Sequence, residues 1–304
     1  MNFRIVGRLE GWKVGMMVVV TLSNIPTFQL SAQEPFPARP PAPARLRPVR
    51  FPPFRQVALP NGMTLVLVEN HEQPTLSISL SFPAGSAYDP AGKEGVAAFV
   101  AELLTKGTPT RDAEQISAAI EGVGGSIGAN AGDDFLTVST DVLSDHADLA
   151  FGLLGDVTRR ATFPPNELEL ARTRFLSSLE VELSQAENVA ARTFQKEIYG
   201  SNPYGRNTSA AAYKMITRED VVGFAGRRLR PGGSLLVVAG DITLDRARAL
   251  AAQTFGAWRG TAAPTMPAPA CPTTSASAAS SATARAGSAP PTRRSIPPAT
   301  PAAT

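Results

Sequence analysis

Imidazole and thiol side chains, the usual zinc ligands, are scarce in this 304-residue chain. It holds two histidines, His71 and His146, and one cysteine, Cys271. The histidines stand at unrelated positions, one in a loop and one at the start of a helical stretch. Exposed or capping roles are therefore the default for both, and a two-histidine metal site is not expected. A lone thiol excludes an internal disulfide framework, a CxxC motif and a cysteine-based zinc site. Its default reading is an incidental tail residue, with pairing between chains as the alternative. The stretch 95–108, GVAAFVAELLTKGT, is more informative. Val96, Phe99, Val100, Leu103 and Leu104 recur at i, i+3, i+4, the signature of an amphipathic helix with one face in a core. Its other side presents Ala98, Ala101 and Glu102. A carboxylate can bind a cation or take a proton; a methyl group can do neither.

The elements that must position this helix can be read in chain order. Residues 54–59 and 63–69 flank Pro60-Asn61-Gly62 and predict a hairpin. Residues 75–82 alternate apolar and polar, as a half-buried strand does. Thr110 is expected to cap a helix over 111–122, with Glu114 near the capping-box position and Gly124-Gly125 at its end. A strand pair follows over 126–131 and 135–142 around Gly132-Asp133-Asp134. A helix runs from His146 to about Arg160. Pro164-Pro165-Asn166 opens a long helix over 167–183, with Leu168, Ala171, Phe175, Leu176 and Leu179 as its core stripe. Thr217 is a good N-cap with Asp220 three residues on. A short apolar strand over 234–239 and a helix over 244–255 complete the set. The order β-β-β-α-α-β-β-α-α-α-α-β-α does not alternate as βαβ units do, so the expected class is an α+β sandwich.

Composition confines the fold to the middle of the chain. Residues 33–53 are Pro/Arg-rich, and 261–304 are almost entirely Ala, Pro, Ser, Thr and Arg. Neither can bury enough apolar surface to offset its ordering entropy. One domain is expected over 54–259. The formal net charge of +3 comes largely from arginines in the flanks, without interleaved aromatics. That pattern argues against a nucleic-acid site. At the N-terminus, Arg4, Arg8 and Lys13 precede the apolar run 14–22, which is too short to span a bilayer. Leu30-Ser31-Ala32 follows as a small-residue cleavage site, so residues 1–32 read as an export signal. The expected location is periplasmic or secreted; an uncleaved N-terminal anchor is the alternative.

The 95–108 frame resembles the active-site helix of the M16 zinc peptidases, the insulinase, pitrilysin and mitochondrial-processing-peptidase family. Further blocks match in order: "LPNGMTLVLVEN", a "GS" with an acidic residue before the helix, "YGSNPYGR", "ITRED" and "LLVVAGD". The resemblance covers about residues 55–258. It implies an M16-type (LuxS/MPP-like metallohydrolase) α/β sandwich, a mostly antiparallel sheet packed against helices. Active members carry His-x-x-Glu-His in this helix, the two imidazoles holding zinc and the Glu taking a proton from metal-bound water. Their third ligand is a Glu roughly seventy residues further on. Carried onto this chain, the first His falls on Ala98, the catalytic Glu on Ala101, the second His on Glu102 and the third ligand on Ser178. All four are changed while the scaffold is kept, so the resemblance implies a pseudo-peptidase with no catalytic residues and no zinc of its own.

Glu180 and Glu182 lie close to that third-ligand position, and with Glu102 they are the remaining metal candidates. Carboxylates suit hard cations better than zinc, and the two face different sides of their helix. Bacterial M16 subunits carry two similar domains, whereas the stretch 260–304 reads as linker. A truncation, or a reading-frame change after about Pro269, would produce this pattern. The resemblance thus implies a subunit that pairs as a heterodimer with an active M16 chain and holds peptide substrates with it. The alternatives are a metalloendopeptidase with unusual ligands and a truncated fragment without function of its own.

Overall fold

The computed structural model describes residues 52–262. The segment read as an export signal, the arginines of the N-terminal flank, Cys271 and nearly all of the tail lie outside the described residues. Six strands form one sheet: β1 (Arg55–Ala58), β2 (Thr64–Glu69), β3 (Thr75–Phe82), β4 (Ser126–Ala131), β5 (Leu136–Leu143) and β6 (Leu235–Gly240). Their order is β1-β2-β6-β3-β5-β4, antiparallel throughout except for β2 beside β6. The last strand in sequence therefore sits in the middle. The helices are α1 (Val96–Leu103), α2 (Ala113–Glu121), α3 (Ala147–Arg160), α4 (Pro165–Ser184), α5 (Ala186–Tyr199), α6 (Ala210–Met215), α7 (Arg218–Arg228) and α8 (Leu244–Phe255).

The sheet is apolar on one face only. Leu76, Ile78, Leu80 and Phe82 of β3 are fully buried, as are Leu136 and Val138 of β5. The alternate residues of those strands are exposed, as Ser77 and Ser139 are, or half-buried, as Ser79, Ser81 and Thr137 are. This period of two is what a strand covered on one side requires. The helices supply the cover and place Phe99, Phe151, Phe224 and Phe255 in a continuous core with the strand side chains. Packed against a mostly antiparallel sheet, they form the expected α+β sandwich.

Local signals act as the sequence predicts at several points. Asn61 joins the β1–β2 turn to the end of α8: its Nδ2 donates to the Phe255 carbonyl at 2.9 Å. Thr217 and Asp220 form a reciprocal capping box at α7. Two expectations need correction. The cap of α2 is Asp112, not Thr110, and its capping-box partner is Gln115, not Glu114. The Thr108 hydroxyl accepts from the Arg111 amide, and Gly107 bridges to Asp112, so residues 107–112 are held in a turn and the helix starts later. Five helices, not four, separate β5 from β6. Among the described residues no helix is long and apolar enough to cross a membrane.

Candidate functional site

Helix α1 is held by its N-terminus. Gly95 precedes it at φ 112°, a conformation that L side chains rarely adopt. A Cβ at Gly95 would also lie 2.5 Å from the Tyr213 ring. The first turn's orphan amides are met from a distance: Asp89 accepts from Gly95 N at 2.6 Å and from Ala97 N at 2.8 Å. Asp89 is only 4% exposed, and burial pushes its carboxyl up to about 6, against the opposing pull of those two amides and of Arg206. Arg206 in turn donates to the carbonyls of Asp89 and Ala87, at 2.8 and 3.0 Å.

The loop carrying Asp89 is braced by a second loop. Gly85 N donates to Asp134 O, Ser86 N to Gly132 O and Ala87 N to Asp133 O. Any side chain at Gly85 would collide with the Asp133 carbonyl, 2.2 Å from the Cβ position. Tyr204 closes the arrangement by donating its hydroxyl to Asp134 at 2.5 Å. That bond pushes the phenol up to about 12. The Pro-Tyr-Gly-Arg block thus has a mechanical role: Tyr204 and Arg206 hold the loop whose acid seats α1.

Behind α1 the contacts are aromatic. Phe99 meets Phe175 edge-on at 4.9 Å and Tyr213 at 5.8 Å. Arg172 lies over the Phe99 ring at 5.7 Å while donating to the Ile216 carbonyl. These contacts pack α1 against α4 and fix which residues the two helices present to each other.

Ala101 is buried, Ala98 is half-buried and Glu102 half-exposed on α1. Ser178 and Glu180 are both exposed on α4. Glu102 does not meet Glu180 or Glu182. Its Oε1 instead lies 2.5 Å from Arg174 Nη1, one turn before Ser178, and 3.5 Å from Lys106 Nζ. Glu182 turns to Arg192 at 2.9 Å. The α1–α4 junction is therefore crossed by the Glu102–Arg174 ion pair, with Lys106 flanking it from the α1 side. This donor set does not fit zinc: two methyls, a serine hydroxyl and a carboxylate already engaged by a guanidinium provide no imidazole and no thiolate. Among the described residues no group of three or more His, Cys, Asp or Glu could hold a metal ion. His71 lies apart, its Nδ1 2.6 Å from Asp241, and His146 sits at the start of α3 without a side-chain capping bond.

Sequence reasoning missed Arg174 and Asp89 as the residues that define this region. Asp89 had a signal, being the acid between the Gly-Ser pair and the helix. Arg174 had none beyond its place one turn from Ser178.

The insulinase profile (peptidase family M16) matches residues 64–212. The chain belongs to the M16 family. It is 28% identical over 204 residues to an uncharacterized zinc protease of Mycobacterium tuberculosis, covering 66% of this chain and 47% of that protein. It resembles the crystal structure of a peptidase M16 inactive domain from Pseudomonas fluorescens at TM-score 0.68 and 27% identity, over 72% of this chain and 54% of that one. Pitrilysin shares the fold at TM-score 0.64 and 18% identity, over 71% of this chain and 24% of that one. This M16 chain spans about half the length of the curated relatives it matches.

Proposed function

We propose that this protein is a non-catalytic M16 subunit, exported by its N-terminal segment, that pairs with a zinc-bearing relative and forms one wall of a peptide-holding chamber. One observation carries the reading. The positions that carry the metal and the general base in active relatives are here Ala98, Ala101 and Glu102, and Glu102 is engaged by Arg174 and Lys106. Glu102 is the one acid left at these three positions, and its pairing with two cations opposes both metal binding and proton transfer.

The surface supports a partner. Helix α5 has no fully buried residue and exposes Phe194 (67%) and Ile198, and the end of α4 exposes Val181 and Leu183. Exposed large apolar side chains of this kind fit a surface that a partner covers. The test is to mix the purified chain with an M16 subunit from the same source that carries an intact His-x-x-Glu-His. A complex on gel filtration and faster peptide turnover are expected; no complex and no change in rate refute the proposal.

A second reading, a peptidase with unusual ligands, is favoured by relatives named zinc proteases. It requires one bound metal per chain and a peptidase rate that Glu102→Ala abolishes. A metal-free preparation without activity disposes of it. The reading as an inert fragment predicts no cooperative thermal unfolding of the isolated chain.

A further inference from the structure

Away from α1, a half-open cavity of about 260 Å³ lies between the C-terminal ends of α3 and α7 and the segment after α8. Its walls are apolar, formed chiefly by Phe163, Val222, Leu229 and Trp258. The Trp258 ring is fixed edge-on to Phe82 at 5.8 Å and tilted against Phe255 at 6.2 Å. Two arginines, Arg159 and Arg230, also line the cavity, and no acidic residue does. One N–H of Arg159 donates to the Thr254 carbonyl at 2.5 Å. That bond uses one of the five donors of the guanidinium, which also borders a neighbouring cavity with Thr254. The buried hydroxyl of Thr158 is satisfied by the Leu154 carbonyl and asks for nothing from a ligand.

An apolar recess bordered by two cations and no anion selects a ligand that is apolar at one end and anionic at the other. Size narrows the class, since drug-sized ligands need about 300–1,000 Å³. This cavity takes a single large side chain with its carboxylate, not an extended hydrocarbon. Arginine forks match a carboxylate in two-point geometry. We infer that the cavity binds the C-terminal residue of a peptide, an apolar side chain entering between Phe163 and Trp258 and the α-carboxylate meeting Arg159 and Arg230. The inference is independent of the reading of α1 and holds whether or not the protein has a catalytic partner.

The probe is N-acetyl-L-phenylalanine, titrated into the full-length ¹⁵N-labelled chain while the Trp258 indole resonance is followed. The other tryptophan is Trp12, so Trp12→Phe assigns the signal. A saturable shift is expected, with a dissociation constant of about 1 mM for so small a ligand. N-acetyl-L-phenylalaninamide, which lacks the negative charge, should bind at least about ten-fold more weakly. Val222 is 41% exposed, so Val222→Asp places a carboxylate in the cavity without disturbing the core. That variant should keep the parent melting temperature and weaken binding by about ten-fold or more. Arg230→Gln should weaken it to a lesser degree. Equal binding of acid and amide, or no saturable shift, overturns the inference. So does tighter binding of decanoate, which would make the site one for a lipid-like anion.

Discussion

The carboxylate of Glu102 and the guanidinium of Arg174, 72 residues apart in sequence, meet at 2.5 Å across the junction of α1 and α4. The family resemblance places the metal of zinc-bearing relatives at this junction. Here an ion pair spans it, and the consequence is chemical as well as structural: a guanidinium attracts an anion but has no vacant orbital with which to activate water. The Arg174 and Glu102 side chains are 52% and 28% exposed, so the pair contributes little to stability. A double-mutant cycle with Glu102→Ala and Arg174→Ala should give a coupling below about 1 kcal/mol. A value of several kcal/mol in urea denaturation would show that the pair is a main support of the helix packing.

Restoring the donors should restore the metal. The variant with Ala98→His, Ala101→Glu, Glu102→His and Ser178→Glu is expected to retain one zinc per chain by elemental analysis, and the parent none. Adding Arg174→Ala should tighten zinc further, because a fixed positive charge beside the ion is repulsive. Ala101 is 5% exposed, so the metal-free variant should melt below the parent, with zinc recovering the loss. Failure to bind zinc would mean that α1 and α4 are set differently from those of active relatives.

Asp89 makes stability depend on pH in a direction unusual for an acid. Its folded value of about 6 lies above the unfolded value near 3.9, so the folded state holds the proton more tightly. The contribution is complete below about pH 4 and is lost as pH rises through about 6. Relative to Asp89→Asn, which cannot titrate, the parent should lose about 2–3 kcal/mol between those values. Chemical denaturation of both proteins at pH 4, 5, 6 and 7 measures this. A difference that is flat or grows with pH contradicts the burial-dominated account.

Gly95→Ala should be costly for its size. The residue sits at φ 112° and its Cβ would lie 2.5 Å from the Tyr213 ring. A loss of about 2–3 kcal/mol is expected. Gly92→Ala, also at positive φ but with open space around it, is the control for backbone strain without a clash.

Thr140 of β5 is fully buried, and its hydroxyl is the buried side-chain polar atom without a hydrogen-bond partner among the described residues. It pairs across the sheet with Ile78 and Ile127. Thr140→Val keeps the shape and removes the unmet group, so a gain of about 1 kcal/mol is expected. A loss would reveal a bound water.

Much of the local structure was legible because its causes are local. Asn61-Gly62 marks a chain reversal, alternation over 75–82 marks a strand, and Thr217 with Asp220 marks a helix start. The start of α2 was misplaced because the bonds holding Thr108 to Arg111 and Gly107 to Asp112 fill a turn that leaves no periodic trace. The candidate site was legible only as a pattern of substitutions. Spacing within one helix says that Ala98, Ala101 and Glu102 share a side, but not that Arg174 reaches across to Glu102. The burial of Asp89 depends on loops more than forty residues apart in sequence, 85–89 against 132–135, closed by Tyr204 and Arg206.

The central place of β6 bears on how this polypeptide must be made. Until residues 235–240 emerge from the ribosome, β1–β2 and β3–β5–β4 are two half-sheets with no hydrogen bonds between them. A nascent chain stalled before that point exposes two apolar edges at once and is a substrate for chaperones rather than a domain. Release of translation products just before Leu235 and just after Ala262 should therefore separate aggregated from soluble protein.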